Sequence, residues 1–177
     1  ISDNVTGINA CYGIMAALFE RERGGPPRSL SVNMLESSIW FLPDPFANMT
    51  QQDIQPSPTA RSEASQSHAL RCADGKLIAV HLSSQEKFWQ GVTAAFGVEH
   101  MRDDPRYADR MARIAAYFDM SAEFKKAAAT QPRDYWMPRL EANDVPYAPI
   151  NTLPEVFDDP QVQHLGTFFE VEHPVEG

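Results

Sequence analysis

The residues with the best claim to chemistry stand almost at the start of the chain: Asp3-Asn4-Val5-Thr6-Gly7, followed by a helical pattern. A carboxylate beside an early helix turn is held by backbone N–H groups and by the positive end of the helix dipole. The same residue types also cap helices with no further role, and Asp3, Asn4 and Thr6 are all capping residues. Gly7 leaves room for a substrate to approach. No other side chain is a comparable nucleophile. His81, His100, His164 and His173 are scattered and form no triad. Asp103-Asp104 reads as a helix-start turn, since two adjacent aspartates lack the further oxygen ligands of a metal site. No Cys/His set has zinc spacing, and no glycine loop is built to cradle a phosphate.

The element that positions Asp3 is the helix itself. Ile8, Cys11, Tyr12, Met15, Leu18 and Phe19 recur at a period of about 3.6 residues, so one stripe faces a core. Ala10, Gly13, Ala16 and Ala17 make a small second face suited to a close partner. Gly24-Gly25-Pro26-Pro27 ends the helix. Residues 28–34 alternate Leu30, Val32, Met34 against Ser29, Ser31, Asn33, which predicts a short half-buried strand. A helix over 35–42 follows, interrupted by Pro43 and Pro45.

Residues 50–68 are rich in Gln, Ser, Pro and Thr, with Ile54 the apolar exception, and read as a linker. A hairpin opens the next domain. Its strands are 69–73 and 76–82, and Asp74-Gly75 is a strong turn signal. Helices are expected over 84–96 (capped by Ser83 or Ser84, with Phe88, Trp89, Val92 and Phe96 inward), 110–118, 121–130 (capped by Ser121) and 132–143. Pro138 should bend or restart the last of these. Val145-Pro146-Tyr147-Ala148-Pro149-Ile150 fits only an edge strand or an extended linker. Asn151-Thr152 caps a short helix, and 167–174 reads as a returning strand.

The sequence resembles the class III CoA-transferases (CaiB/BaiF type). That family includes formyl-CoA transferase, carnitine CoA-transferase and α-methylacyl-CoA racemase relatives. The resemblance is carried by Asp3-x-x-Thr6-Gly7, Gly13-Ile14-Met15-Ala16-Ala17-Leu18, the Cys72-x-Asp74-Gly75 hairpin, Asp104-Pro105-Arg106-Tyr107, Val145-Pro146-x-x-Pro149 and Asp159-Pro160-Gln161, so it covers nearly the whole chain. It implies an α/β fold: the edge of a Rossmann-like large domain over 1–49, the linker over 50–68, a smaller α+β domain over 69–150, and a return segment over 151–177. The expected activity is CoA transfer between an acyl-CoA and a carboxylic acid, with Asp3 as the nucleophile. An acyl-CoA racemase using Asp3 as base is one alternative, and a non-catalytic, dimer-supporting chain another. Racemases of the family often carry a Glu before the hairpin Cys. Arg71 stands there in this chain, and an Arg cannot act as that carboxylate.

The resemblance also implies an interlocked homodimer and coenzyme A or acyl-CoA as substrate, without a metal. Family members are longer, so the chain reads as the middle of such a protein. In formyl-CoA transferase a glycine-rich loop matches 62–68. Here the glycines are absent, and Arg61 and His68 remain as candidates that reach the site with side chains.

Composition fits this reading. Hydrophobic residues make up 43% and charged residues 22%, enough to build a core. The net charge of −9 offers no broad basic surface to nucleic acid or anionic lipid. No apolar run is long enough to span a membrane, and no signal peptide is visible, so a cytoplasmic location is expected. Cys11 and Cys72 are expected to be two buried thiols rather than a disulfide.

Overall fold

A computed structural model describes residues 1–53, 55–172 and 174–175. The chain has a mixed helix and strand fold with a small antiparallel sheet, and it divides into two compact units, Ile1–Pro58 and Thr59–Gly177.

The first unit is helical. Helix α1 (Ser2–Glu22) is followed by α2 (Met34–Trp40) and α3 (Pro43–Gln52). The helix starts earlier than the capping pattern predicts. Its N-cap is Ile1, and neither Asp3, Asn4 nor Thr6 caps it; Thr6 Oγ1 instead donates to the Ser2 carbonyl one turn back, at 2.7 Å. The end is as expected. Gly24 (φ +83°) and Gly25 close it, with the Gly25 N–H on the Glu20 carbonyl at 2.9 Å. The conformation at Gly24 is one that glycine adopts without a Cβ penalty.

Residues 26–33 form no strand, in contrast to the alternation read there. A strand needs a neighbour for its backbone groups, and this segment has no ladder among the described residues. It folds back along α1 instead. The Arg28 guanidinium donates to both carboxylate oxygens of Glu20, at 2.9 and 2.7 Å, and Leu30 lies against Gly13. This pairing holds the Glu20 carboxyl below the usual carboxylate range. Asn33 caps α2 by accepting the Glu36 N–H.

The second unit carries the core. Helix α4 (Ala60–Ser65) leads into β1 (Ser67–Arg71), β2 (Leu77–His81), α5 (Glu86–Phe96), two short 3₁₀ turns, α6 (Arg110–Ala115), α7 (Tyr117–Ala128), α8 (Arg133–Ala142), β3 (Tyr147–Ile150), α9 (Leu153–Phe157) and α10 (Pro160–Leu165). The sheet order is β1-β2-β3, antiparallel throughout, with Leu70 opposite Ile78 and Ile78 opposite Pro149. Inward residues of β1 and β2 (Leu70, Ile78, Val80) alternate with more exposed ones, the period-two pattern of a one-sided sheet. Trp89, Val92 and Phe96 of α5, Phe124 of α7 and Trp136 and Leu140 of α8 complete the core. Burial of side chains this large supplies most of the stabilisation.

Several local expectations change here. The stretch read as a linker contains α4 and the start of β1; Ile54 lies outside the described residues. The predicted cap at Ser83 or Ser84 is replaced by Gln85, with no side-chain bond to the helix. Ser121 does not start a helix; it is buried inside α7, which begins at Tyr117. Pro138 sits within α8, which runs unbroken from Arg133 to Ala142. No strand forms over 167–172, and His173, in the same predicted strand, lies outside the described residues. Cys72 is buried as expected, but Cys11 is exposed.

The edge-strand reading of 145–150 holds. His81 donates its N–H to Pro146, so Tyr147 and Pro149 sit at the alternating positions whose backbone groups point away from β2. Pro149 therefore costs the ladder no bond. Below β3, Glu155 takes both the N–H and the hydroxyl of Thr152, at 2.8 and 3.0 Å, and so fixes the start of α9.

Candidate active site

Asp3 is exposed in the first turn of α1. The first N–H groups of any α-helix have no intrahelical acceptor, and the dipole adds positive potential there. This end of the helix therefore favours negative charge and offers donors to an oxyanion. The space beside Gly7 is open, with no atom within 4 Å of where a Cβ would stand. An accessible carboxylate next to free donors and an open approach is the minimum equipment for attack on an acyl carbonyl.

The other two candidates lie in the second unit. Arg61 is exposed on α4. His68 is 2% exposed on β1. Its ring stacks on Tyr117 at 4.7 Å and meets the edge of Phe124 at 5.3 Å. Neither ring nitrogen has a hydrogen-bond partner among the described residues. Burial, assisted by the Lys125 charge, lowers its pKa to about 4, so the ring is neutral near pH 7. His68 thus has the surroundings of a core aromatic. The Tyr117 hydroxyl donates to the Ser67 carbonyl at 2.6 Å and fixes the stacking partner.

Sequence reading passed over the polar residues that organise this unit. Arg113, 3% exposed, donates to Glu86 at 2.7 Å and to the Tyr107 carbonyl, and lies over the Trp89 ring. Arg133 reaches toward Ile150, Asn151 and Glu155, tying α8 to the chain after β3. A buried arginine leaves no signal beyond its place on an apolar helix face. A groove of about 560 Å³ also runs past Ala69, Arg71, Cys72, Ala73, Leu77, Lys125 and Ala129. Among the described residues no group of three or more His, Cys, Asp or Glu side chains is arranged to hold a metal, and no helix is long and apolar enough to cross a membrane.

Comparison with known proteins bears on this geometry. The family model described as CoA-transferase family III matches residues 1–177. Succinyl-CoA:glutarate CoA-transferase of Mus musculus is 27% identical over the whole chain, which covers 41% of that protein. Formyl-CoA:oxalate CoA-transferase of Escherichia coli is 25% identical, again over the whole chain and 48% of the relative. The chain thus spans less than half the length of these relatives. The crystal structure of Rv3272 from Mycobacterium tuberculosis (orthorhombic form) superposes with a TM-score of 0.80 over 99% of this chain and 46% of that one, at 25% identity. A CaiB/BaiF family protein from Brucella suis shares the fold, with a TM-score of 0.77 over 93% of this chain and 44% of that one, at 24% identity. With a family match from end to end, the chain belongs to CoA-transferase family III.

Proposed function

We propose that the intact protein moves coenzyme A between an acyl-CoA and a carboxylic acid, with Asp3 as the nucleophile. The observation that carries this is Asp3-x-x-Thr6-Gly7 in the open first turn of α1, within a family match that spans the chain. An Asp3 carboxylate oxygen attacks the thioester carbonyl, the C–S bond breaks, and the CoA thiolate leaves a mixed anhydride. The thiolate then attacks the aspartyl carbonyl, giving an aspartyl-CoA thioester and freeing the first acid. The incoming carboxylate attacks that thioester and expels the thiolate. Thiolate attack on the new acyl carbonyl then gives the product thioester and restores Asp3. Each hard exchange becomes two easier ones.

The same reading assigns residues 1–49 to the large CoA-transferase domain, 50–68 to a linker, 69–150 to the small domain and 151–177 to a return segment. The protein acts as an interlocked homodimer in the cytoplasm, and the exposed apolar side chains of α1 pack against the remainder of the large domain. The relatives named above act on succinyl-CoA with glutarate and on formyl-CoA with oxalate, so short carboxylic acids are the first acceptors to try. Arg61 and His68 remain secondary candidates, His68 as a residue that positions the small domain.

The test incubates the intact protein with succinyl-CoA or formyl-CoA, quenches with hydroxylamine, and maps the modified residue by mass spectrometry beside Asp3→Ala. Hydroxamate at Asp3, absent from the variant, is the expected result. Exchange of an α-proton with solvent deuterium and no adduct would overturn transfer in favour of racemisation.

A further inference from the structure

We propose that the groove between the open edge of β1 and the end of α7 binds a small organic anion, a carboxylate or phosphate carried on an apolar body. The proposal does not rest on the transfer reaction. The groove lies wholly in the second unit. Its volume of about 560 Å³ falls in the range of small-molecule sites.

Three alanines, Ala69, Ala73 and Ala129, with Leu77, supply the apolar part of the lining. Arg71 and Lys125 supply the charge. Arg71 is exposed, and its Nη1 donates to the Gly75 carbonyl across the hairpin turn at 2.8 Å. That bond occupies one nitrogen of a fork with several donors. The Lys125 ammonium forms no ion pair among the described residues, although its neighbour Lys126 is paired with Glu123.

Nothing in the lining carries opposing charge. Cys72 is 3% exposed, and burial, then Asp74, raises its thiol pKa against a smaller opposite pull from Arg133, so the group stays protonated near neutral pH. The nearest carboxylate in sequence, Asp74, is turned onto backbone donors: one oxygen accepts from Lys76 N–H and the other from Arg133 N–H, both at 3.1 Å. In a chain of net charge −9, two cations over a lining of small apolar residues form a local exception. Such a pair attracts an anion whose carbon skeleton fills the lining.

The probes are phenylacetate and phenyl phosphate, with phenylacetamide as the neutral control, measured by equilibrium dialysis on the intact protein. One saturable site of about millimolar affinity or tighter is expected for at least one anion, with the amide at least about tenfold weaker. Preference for the phosphate or for the carboxylate assigns the headgroup. Arg71→Ala with Lys125→Ala should weaken binding about tenfold or more, and Ala129→Trp, which fills the groove and leaves both charges, should abolish it. Asp3→Ala should leave it unchanged. Absence of saturable binding, equal binding of the amide, or loss of binding in Asp3→Ala with retention in the double variant would overturn the assignment. Thermal melts of each variant identify any that fail to fold. Arg71→Lys with Lys125→Arg, which keeps both charges, should retain binding, and its failure to do so in a folded protein counts against the site.

Discussion

The two units treat their apolar residues in opposite ways. In the first, α1 has no buried residue, and Tyr12, Met15 and Phe19 are 71%, 61% and 64% exposed. In the second, Trp89, Phe96, Phe124 and Trp136 are all at most 5% exposed and touch one another edge to face or tilted. A periodic stripe marks what a helix must bury; it does not supply the surface that buries it. The second unit has that surface within the chain. The first presents its stripe outward and carries Asp3, the proposed nucleophile, in the first turn of the same helix, so the proposed chemistry and the buried core belong to different units.

That separation can be broken or sharpened by experiment. The largest effect expected is on catalysis. Asp3→Ala in the intact protein should lower CoA transfer by about a thousandfold or more, read in a coupled assay, because covalent catalysis has no substitute there. The exposed side chain contributes little to folding, so the melting temperature should stay within a degree or two of the parent. Next, Phe124→Ala should destabilise the second unit by about 3–5 kcal/mol in urea melts, since it removes a ring shared with His68, Trp89 and Phe96. Phe19→Ala, on the exposed stripe, is expected to cost this chain less than about 1 kcal/mol. Equal costs would erase the contrast.

A pH series separates the units further. His68 has a folded pKa of about 4, below the ordinary histidine value, so the unfolded chain takes up its proton first as pH falls. Its contribution is complete above about pH 6.5 and is lost progressively down to about pH 4, by up to about 3 kcal/mol. Urea midpoints of the parent should fall through that window by more than those of His68→Phe. A packing effect smaller than that at Phe124 is expected at Gly91, where an added Cβ would run into the Asn143 carbonyl and the Val145 side chain. Gly91→Ala should cost about 1–3 kcal/mol by chemical denaturation.

Most of the second unit was legible because its signals are local. Asp74-Gly75 makes its hairpin, Gly97 ends α5 at a positive φ of 68°, and Asn151-Thr152 opens α9. The failures have physical causes. Alternation over 28–34 describes side chains, whereas a strand requires backbone partners, and Arg28 is drawn onto Glu20 instead. Ser121 has the chemistry of a cap, but the aromatic face of Tyr117 and Phe124 extends the helix past it. Asp3 was singled out through the motif it shares with the resembled family, because its type and spacing alone fit a helix cap equally; the structure leaves it uncapping and exposed in the first turn of α1. His68 was placed by its loop-like neighbours, and its burial depends on α7, about fifty residues farther along the chain. The Arg71 and Lys125 groove was invisible for the same reason, because no short window contains both residues.

Pro149 has one more consequence. The outer edge of a sheet is a template on which a foreign strand, or a second copy of the same strand, can assemble without limit. At Pro149 the outward position has no hydrogen to offer, and any incoming strand meets a gap in the donor row. A single imino acid thus interrupts strand addition along the β3 edge of the sheet.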